Sequence, residues 1–278
     1  MINRRIYRMK KNKLILIGTS ILIILIIVSF IGPLFIKQDI SSVDLYNISS
    51  PPSGEHLLGT DDLGRDVLAR LLYGGRVSLL VGVFATILQV MIGTILGVLA
   101  GYFGGAIDAI IMRIVDIVMC FPFFIVAIAL AAIVGPSVVN LIIIIAILSW
   151  TDIARIVRAE VLSIKERDFI MASKAIGFNN LDIILKHIIP NVLSSILVAT
   201  TLSMATAILM EASLSFLGMG VKPPMPSWGN MLTAAQNMRT LSSEWWLWIP
   251  PGFMIIISVL AINFLGEGLR RKLDPKRK

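Results

Sequence analysis

The feature that most limits this chain is a set of long runs without one charged residue. Leu14–Ile36 is 23 residues free of Asp, Glu, Lys and Arg, and Val77–Leu99 is another such run. A helix built from them has no polar face for water, whereas about 20 apolar residues span the ~30 Å hydrocarbon core of a bilayer. Lipid offers no hydrogen bonds to the backbone, so a spanning segment of this composition must be helical. Only 15% of the residues are charged, against about 25% in a soluble domain, so a water-facing surface cannot be built. The sequence therefore specifies an all-α polytopic membrane protein.

Six transmembrane helices are expected: Leu14–Ile36, Val77–Leu99, Ile117–Val134, Val138–Trp150, Ile188–Met210 and Leu247–Leu265. The fourth, about 20 Å long as a helix, needs its flanks or its neighbours to complete a crossing. Arg4, Arg5, Arg8, Lys10, Lys11 and Lys13 precede the first run like the basic start of a signal peptide. The run is too long for a cleavable signal and lacks the small-residue cleavage site, which makes it a retained anchor. Ile117–Val134 reads as a clean apolar core, whereas Pro250-Pro251-Gly252 fall in the first turns of the sixth run and are expected to prevent a straight entry. Trp245, Trp246 and Trp248 read as an interfacial belt.

Basic residues give an orientation. With both termini cytoplasmic, the inner segments carry 18 Lys and Arg and the outer segments six, the asymmetry the positive-inside rule requires. The same distribution explains the net charge of +8 through topology, not through a nucleic-acid partner. This divides the chain into a basic start and first span (1–36), an external linker (37–76), a core (77–267) with an inner segment at 164–190, and a basic tail (268–278).

Polar chemistry is sparse. One cysteine and two histidines exclude an internal disulfide and a multi-cysteine or multi-histidine metal cage; Cys120 reads as a small core residue. Arg113 and Asp116 are three apart, the spacing of a helical pair. Glu211 sits in an otherwise uncharged stretch after Thr200, Thr201, Ser203 and Thr206. Arg113, Asp116, Thr200, Ser203 and Glu211 are the intramembrane polar or pathway candidates, although hydroxyls in such helices also serve backbone carbonyls. Gly93, Gly97 and Gly101 leave one helical stripe bare, which suits a close neighbour or reflects the glycine enrichment of membrane helices in general. The run Asp61-Asp62-Leu63-Gly64-Arg65-Asp66 mixes signs and reads as a salt-bridged connection, not a metal site. Asp66–Leu72 has helical periodicity suited to lying on the membrane or packing over helix ends.

In the inner segment, Ile164–Ile176 reads as one amphipathic helix with Phe169, Ala172, Ala175 and Ile176 on a face. Gly177 stops it, Asn179 caps the next helix, and Pro190 opens the fifth span. This elbow resembles the signature of the inner-membrane permeases of binding-protein-dependent ABC importers: a triplet, a glycine four residues on and a proline thirteen beyond. Met171-Ala172-Ser173, Gly177 and Pro190 keep the spacing; the family's glutamate is methionine here, so Met171 carries no ionic role. Leu58-Gly59-Thr60-Asp61-Asp62-Leu63-Gly64-Arg65-Asp66, Tyr73–Leu79, Gly101-Tyr102-Phe103-Gly104-Gly105, His187–Asn191 and Glu211–Gly218 resemble the second permease of the dipeptide/oligopeptide/nickel branch.

That resemblance implies an ABC type I importer permease fold whose cytoplasmic coupling helix seats in a partner ATPase through Arg167, Phe169, Met171, Ala172, Ser173, Gly177 and Pro190. It implies as partners a homologous second permease, two cytoplasmic ABC ATPases, an extracytoplasmic solute-binding protein and membrane lipid, in a bacterial inner membrane. The chain has no Gly-x-x-x-x-Gly-Lys-Ser/Thr phosphate loop, so ATP and Mg belong to the partners, no cofactor is expected on this chain, and the subunit is not an enzyme. The expected cargo is di- or oligopeptides, with nickel, a metallophore complex or glutathione as the alternative. An ion-coupled secondary transporter would place its relay at Glu211 or Arg113/Asp116 but leaves the elbow unexplained. A membrane protease lacks His-Glu-x-x-His.

Overall fold

The computed structural model describes residues 2–36 and 38–273, with side chains from Lys13 onward. Lys37 and the tail residues Lys276, Arg277 and Lys278, counted above in the charge asymmetry, lie outside the described residues. Eleven helices form among the described residues: α1 (Ile2–Phe30), α2 (Val67–Phe103), α3 (Gly105–Cys120), α4 (Phe123–Val134), α5 (Val138–Lys165), α6 (Asp168–Ala175), α7 (Asn180–Ile183), α8 (Ile189–Phe216), α9 (Trp228–Met231), α10 (Met238–Ser243) and α11 (Ile249–Leu273). Five segments are long and apolar enough to cross a membrane, and α3 with α4 makes a sixth if that bent pair is one span.

The expected third span is thus not straight. α3 and α4 meet at 87°, because Pro122 has no N–H to continue the ladder and drives Phe121 out of the helical region, to φ −97° and ψ 134°. Cys120, expected in the core, is exposed at the end of α3.

Helices also outrun their apolar cores. α2 begins at Val67, so the periodic stretch after Asp66 is its first turns, not a separate surface helix. Its 37 residues reach about 55 Å, well beyond the hydrocarbon core. α5 carries the short fourth run onward for 28 residues to Lys165, which supplies the length that Val138–Trp150 lacked.

Close packing of α2 on α5 decides the meaning of the glycine stripe. A Cβ on Gly93 would lie 2.6 Å from the Trp150 carbonyl oxygen. One on Gly97 would lie 2.7 Å from that of Ala154, and one on Gly101 2.8 Å from Val161 Cβ. The stripe is a contact surface, and α5 backbone fills the space left by the missing side chains. Packed over it, Val98, Tyr102, Ile153, Val157 and Val161 join Ile170, Ile183, Ile188 and Val192 in one buried cluster.

α1 runs antiparallel to α11: Gly18 faces the Ala261 carbonyl, and Gly268 faces Ile15. Gly266 lies against Thr201 in the first half of α8, so the C-terminal half of α11 and the N-terminal half of α1 point toward the elbow end of the bundle. Pro250 and Pro251 cause no break in α11. They occupy its first turn, where backbone N–H groups have no intrahelical partner in any case.

Candidate functional site

The elbow is built from three short pieces. α5 ends at Lys165, so Ile164, expected to start the amphipathic helix, is instead buried on α5. α6 ends in a Schellman turn: Gly177 takes φ 92°, its N–H donates to Lys174 O at 3.0 Å, and Phe178 N–H donates to Ser173 O at 3.1 Å. Asn179 Oδ1 then accepts from Asp182 N–H at 2.7 Å and starts α7. Between α7 and α8 the backbone widens into a π turn over Ile184–Ile188, with Ile189 N–H donating to Ile184 O. Pro190 explains the widening: it cannot donate to the carbonyl four residues back, and its ring would press against it.

The face of α6 that packs inward is Ile170 with Ser173, which are 0% and 9% exposed. Ser173, one of the expected contact positions, lies on this inward side, and its hydroxyl donates to Phe169 O at 2.8 Å. Phe169, Met171, Ala172, Ala175 and Ile176 face outward, with Arg167 exposed at the N-cap. Phe178, Leu181 and Leu185 extend the exposed apolar surface onto the glycine turn, α7 and the π turn.

At the opposite end, the expected salt-bridged run is a fastening for α2. Asp66 caps the helix by accepting from Ala69 N–H at 2.8 Å, and His56 Nδ1 lies 3.0 Å from its other oxygen. Asp61 accepts from the backbone of Leu63 and Arg65, takes Arg65 Nε at 2.8 Å, and sits 3.4 Å from Arg70 Nε. Arg70 also donates to Ile40 O and Pro224 O, which ties residues 38–66 and the segment before α9 to one helix. Nearby, Asn47 and the Tyr46 N–H hold the Asp44 carboxyl below the usual carboxylate range. Arg76 donates to the Ser29 and Phe30 carbonyls at the end of α1. Trp246 belongs to this end as a buried core residue, its indole N–H donating to Thr60 O at 3.2 Å. It is not part of an interfacial belt, whereas Trp245 is half exposed. A polar cleft of about 870 Å³ opens here between Asp61, Asp62, Arg65, Asn230, Arg239 and Glu244.

Of the intramembrane candidates, Glu211 is the one the fold seals. It is 0% exposed, and its two oxygens accept from Ser78 Oγ at 2.8 Å and Ser215 Oγ at 2.7 Å. Ser78 in turn accepts from Trp228 N–H. The carboxyl thereby joins α2, α8 and the start of α9. Arg113 and Asp116 do not pair: Asp116 binds Arg155 Nη2 of α5 at 2.7 Å, and Arg113 is exposed on α3. Thr200, Thr201 and Thr206 return their hydroxyls to carbonyls of α8, and Ser203 is half-buried on the same helix.

Sequence reasoning missed three polar ties near the elbow. Arg158 grips Asp108 through two nitrogens, at 2.5 and 2.6 Å. Ser195 donates to Glu160 at 2.8 Å. Tyr102 donates to Asn180 Oδ1 at 2.8 Å. The residues quoted as motifs were the available signal, since Tyr73–Leu79 and Glu211–Gly218 meet at Glu211 and Gly101–Gly105 meets the elbow. Among the described residues, no group of three or more His, Cys, Asp or Glu is arranged to hold a metal ion.

Residues 93–278 match the family described as binding-protein-dependent transport system inner membrane component. Residues 3–52 match the N-terminal TM domain of oligopeptide transport permease C. The chain is 45% identical over 271 residues to the dipeptide transport system permease protein DppC of Alkalihalophilus pseudofirmus, covering 98% of this chain and 88% of that one. It is 41% identical to the oligopeptide transport system permease protein OppC of Bacillus subtilis (97% and 88% covered). It is 40% identical to the glutathione transport system permease protein GsiD of Escherichia coli (98% and 89%). In fold it resembles inward-facing structures of the MetNI methionine ABC transporter, with a TM-score of 0.59 at 20% identity, covering 74% of this chain and 96% of that chain. The chain therefore belongs to the inner-membrane components of binding-protein-dependent transport systems, as a non-catalytic, multi-pass permease subunit of an ABC importer.

Proposed function

We propose that this subunit, together with a homologous but distinct permease, forms the path by which short peptides enter a bacterial cell. Two cytoplasmic ATPases drive the movement, and an extracytoplasmic binding protein delivers the solute. The carrying observation is the elbow's outward face. Phe169, Met171, Ile176, Phe178 and Leu181 are 39–77% exposed at the end of the bundle, outside the apolar cores of the spans. An apolar patch of this kind on a water-facing end marks a binding surface. Arg167, Phe169, Met171, Ala172 and Ile176 are its contact positions toward the ATPase. Gly177 and Pro190 shape the elbow, and Ser173 supports it from within.

In this reading the elbow and both chain ends are cytoplasmic, and residues 37–76 are external. The course of α1 and α11 supports it, because both helices bring their basic ends toward the elbow. Peptide cargo rests on the dipeptide and oligopeptide permeases that the chain resembles. Glutathione is the second reading, supported by the 40% identity to the glutathione permease. Its peptide-like backbone asks the same chemistry of a polar path.

The test is to isolate the intact complex with its binding protein and identify the bound solute by native mass spectrometry. Short peptides are expected. Glutathione or a metal chelate as the sole bound solute would refute the peptide assignment.

A further inference from the structure

The last turn of α2 connects to both α6 and α7. Tyr102, near the end of α2, is 4% exposed. Its hydroxyl donates to Asn180 Oδ1 in α7 at 2.8 Å, and its ring lies under Lys174 Nζ of α6, 5.4 Å from the ring centroid. One side chain thus holds both arms of the elbow, on either side of the Gly177 turn. Six residues on, Asp108 at the start of α3 takes the two-nitrogen grip of Arg158 from α5. Gly101 lets the Val161 stretch of α5 press directly on α2. A displacement of α6 has few ways to leave α2 behind.

We propose that Tyr102 is the positioning residue that passes movement of α6 and α7 to α2 and α3, so that the phenol–Asn180 hydrogen bond sets how much transport each ATP hydrolysis yields. This rests on the reading of α6 as the ATPase-docking element. The bond suits the role. Both partners are uncharged, so it is short-ranged and directional, and it joins segments 78 residues apart that the chain itself links only through α3, α4, α5, α6 and the turns. Lys174 over the ring face adds an attraction that tolerates sliding, whereas the hydroxyl bond does not.

The experiment uses the reconstituted complex with its ATPases and binding protein, and reads the ratio of solute imported to ATP hydrolysed. Tyr102→Phe keeps the ring under Lys174 and removes only the hydroxyl. Asn180→Ala removes the acceptor from the other side. Each is expected to lower the ratio roughly three- to tenfold, the factor carried by one neutral hydrogen bond, while ATP hydrolysis continues. The double variant should be no worse than either single one. Asn180→Asp, which keeps an acceptor facing the phenol, should retain the wild-type ratio. In every variant a cysteine at position 172 should still crosslink to the ATPase. An unchanged ratio in Tyr102→Phe and Asn180→Ala with that crosslink intact overturns the role of Tyr102 alone, as does an equal fall in hydrolysis and import. Failure of the crosslink in the otherwise wild-type complex overturns the docking reading and this inference with it.

Discussion

Replacing Gly97 by alanine puts a methyl group where α5 already has a carbonyl. The new Cβ would stand 2.7 Å from Ala154 O and 2.8 Å from Val157 Cβ, whereas ordinary contact begins at 3.4 Å. The obstacles are backbone and a β-branched carbon, so neither rotates away, and the helices must separate locally by about 0.7 Å, the shortfall between those distances. A gap of that size forfeits a quarter to a half of the dispersion energy of the facing atoms. Overfilling of this kind costs about 1–3 kcal/mol. At roughly 2–4 °C per kcal/mol for a chain of this size, the thermal midpoint of the purified complex should fall by several degrees. Gly54→Ala is the control, since no atom lies within 4 Å of its Cβ, and it should leave the midpoint unchanged. If Gly97→Ala matched Gly54→Ala, the stripe would not be the α2–α5 contact, and the packing argument for this half of the bundle would be wrong.

Asp61→Asn strips the buried Arg70 and the partly buried Arg65 of their shared carboxylate and should cost about 3 kcal/mol, seen as a lower unfolding midpoint. Asp62→Asn, at a side chain 81% exposed, should cost almost nothing, and neither change should alter Ni²⁺ or Zn²⁺ retention by the folded complex. Glu211→Ala leaves the Ser78 and Ser215 hydroxyls without their shared acceptor and opens a cavity, at about 3 kcal/mol or more. Glu211→Gln, which keeps volume and one acceptor, should retain most of that stability in the same assay. Cysteines at positions 172 and 176 should crosslink to the ATPase and one at 173 should not, which a crosslinking gel decides.

Hydropathy marks where lipid contact ends, and this is why the spans were legible while the helix ends were not. Residues 67–76 and 151–165 carry charge and fall outside any apolar window, yet their backbone continues the helices of α2 and α5. The bend at Phe121-Pro122 was present in the sequence as a proline, but surrounding apolar residues masked it. The spacing of Arg113 and Asp116 suggested a pair because partners within one helix are visible and partners on another are not; Arg155 lies 39 residues from the Asp116 it binds. Ser173 is small and sits beside Ala172, but which side of α6 it takes is set by packing on the bundle, where its hydroxyl bonds within α6 and its side chain turns inward. The elbow's caps were legible in detail, since Gly177 and Asn179 act on their immediate neighbours. The hydroxyl nest around Glu211 was not, because Ser78 lies 133 residues away and only the fold brings it there.

The most direct test of the account is uptake by proteoliposomes that contain the complete complex, with binding protein and labelled short peptide outside and ATP sealed inside. Import should require internal ATP, should stop when the ATPase subunits cannot hydrolyse it, and should be indifferent to an imposed proton or sodium gradient. Import driven by either gradient without ATP would contradict the central claim.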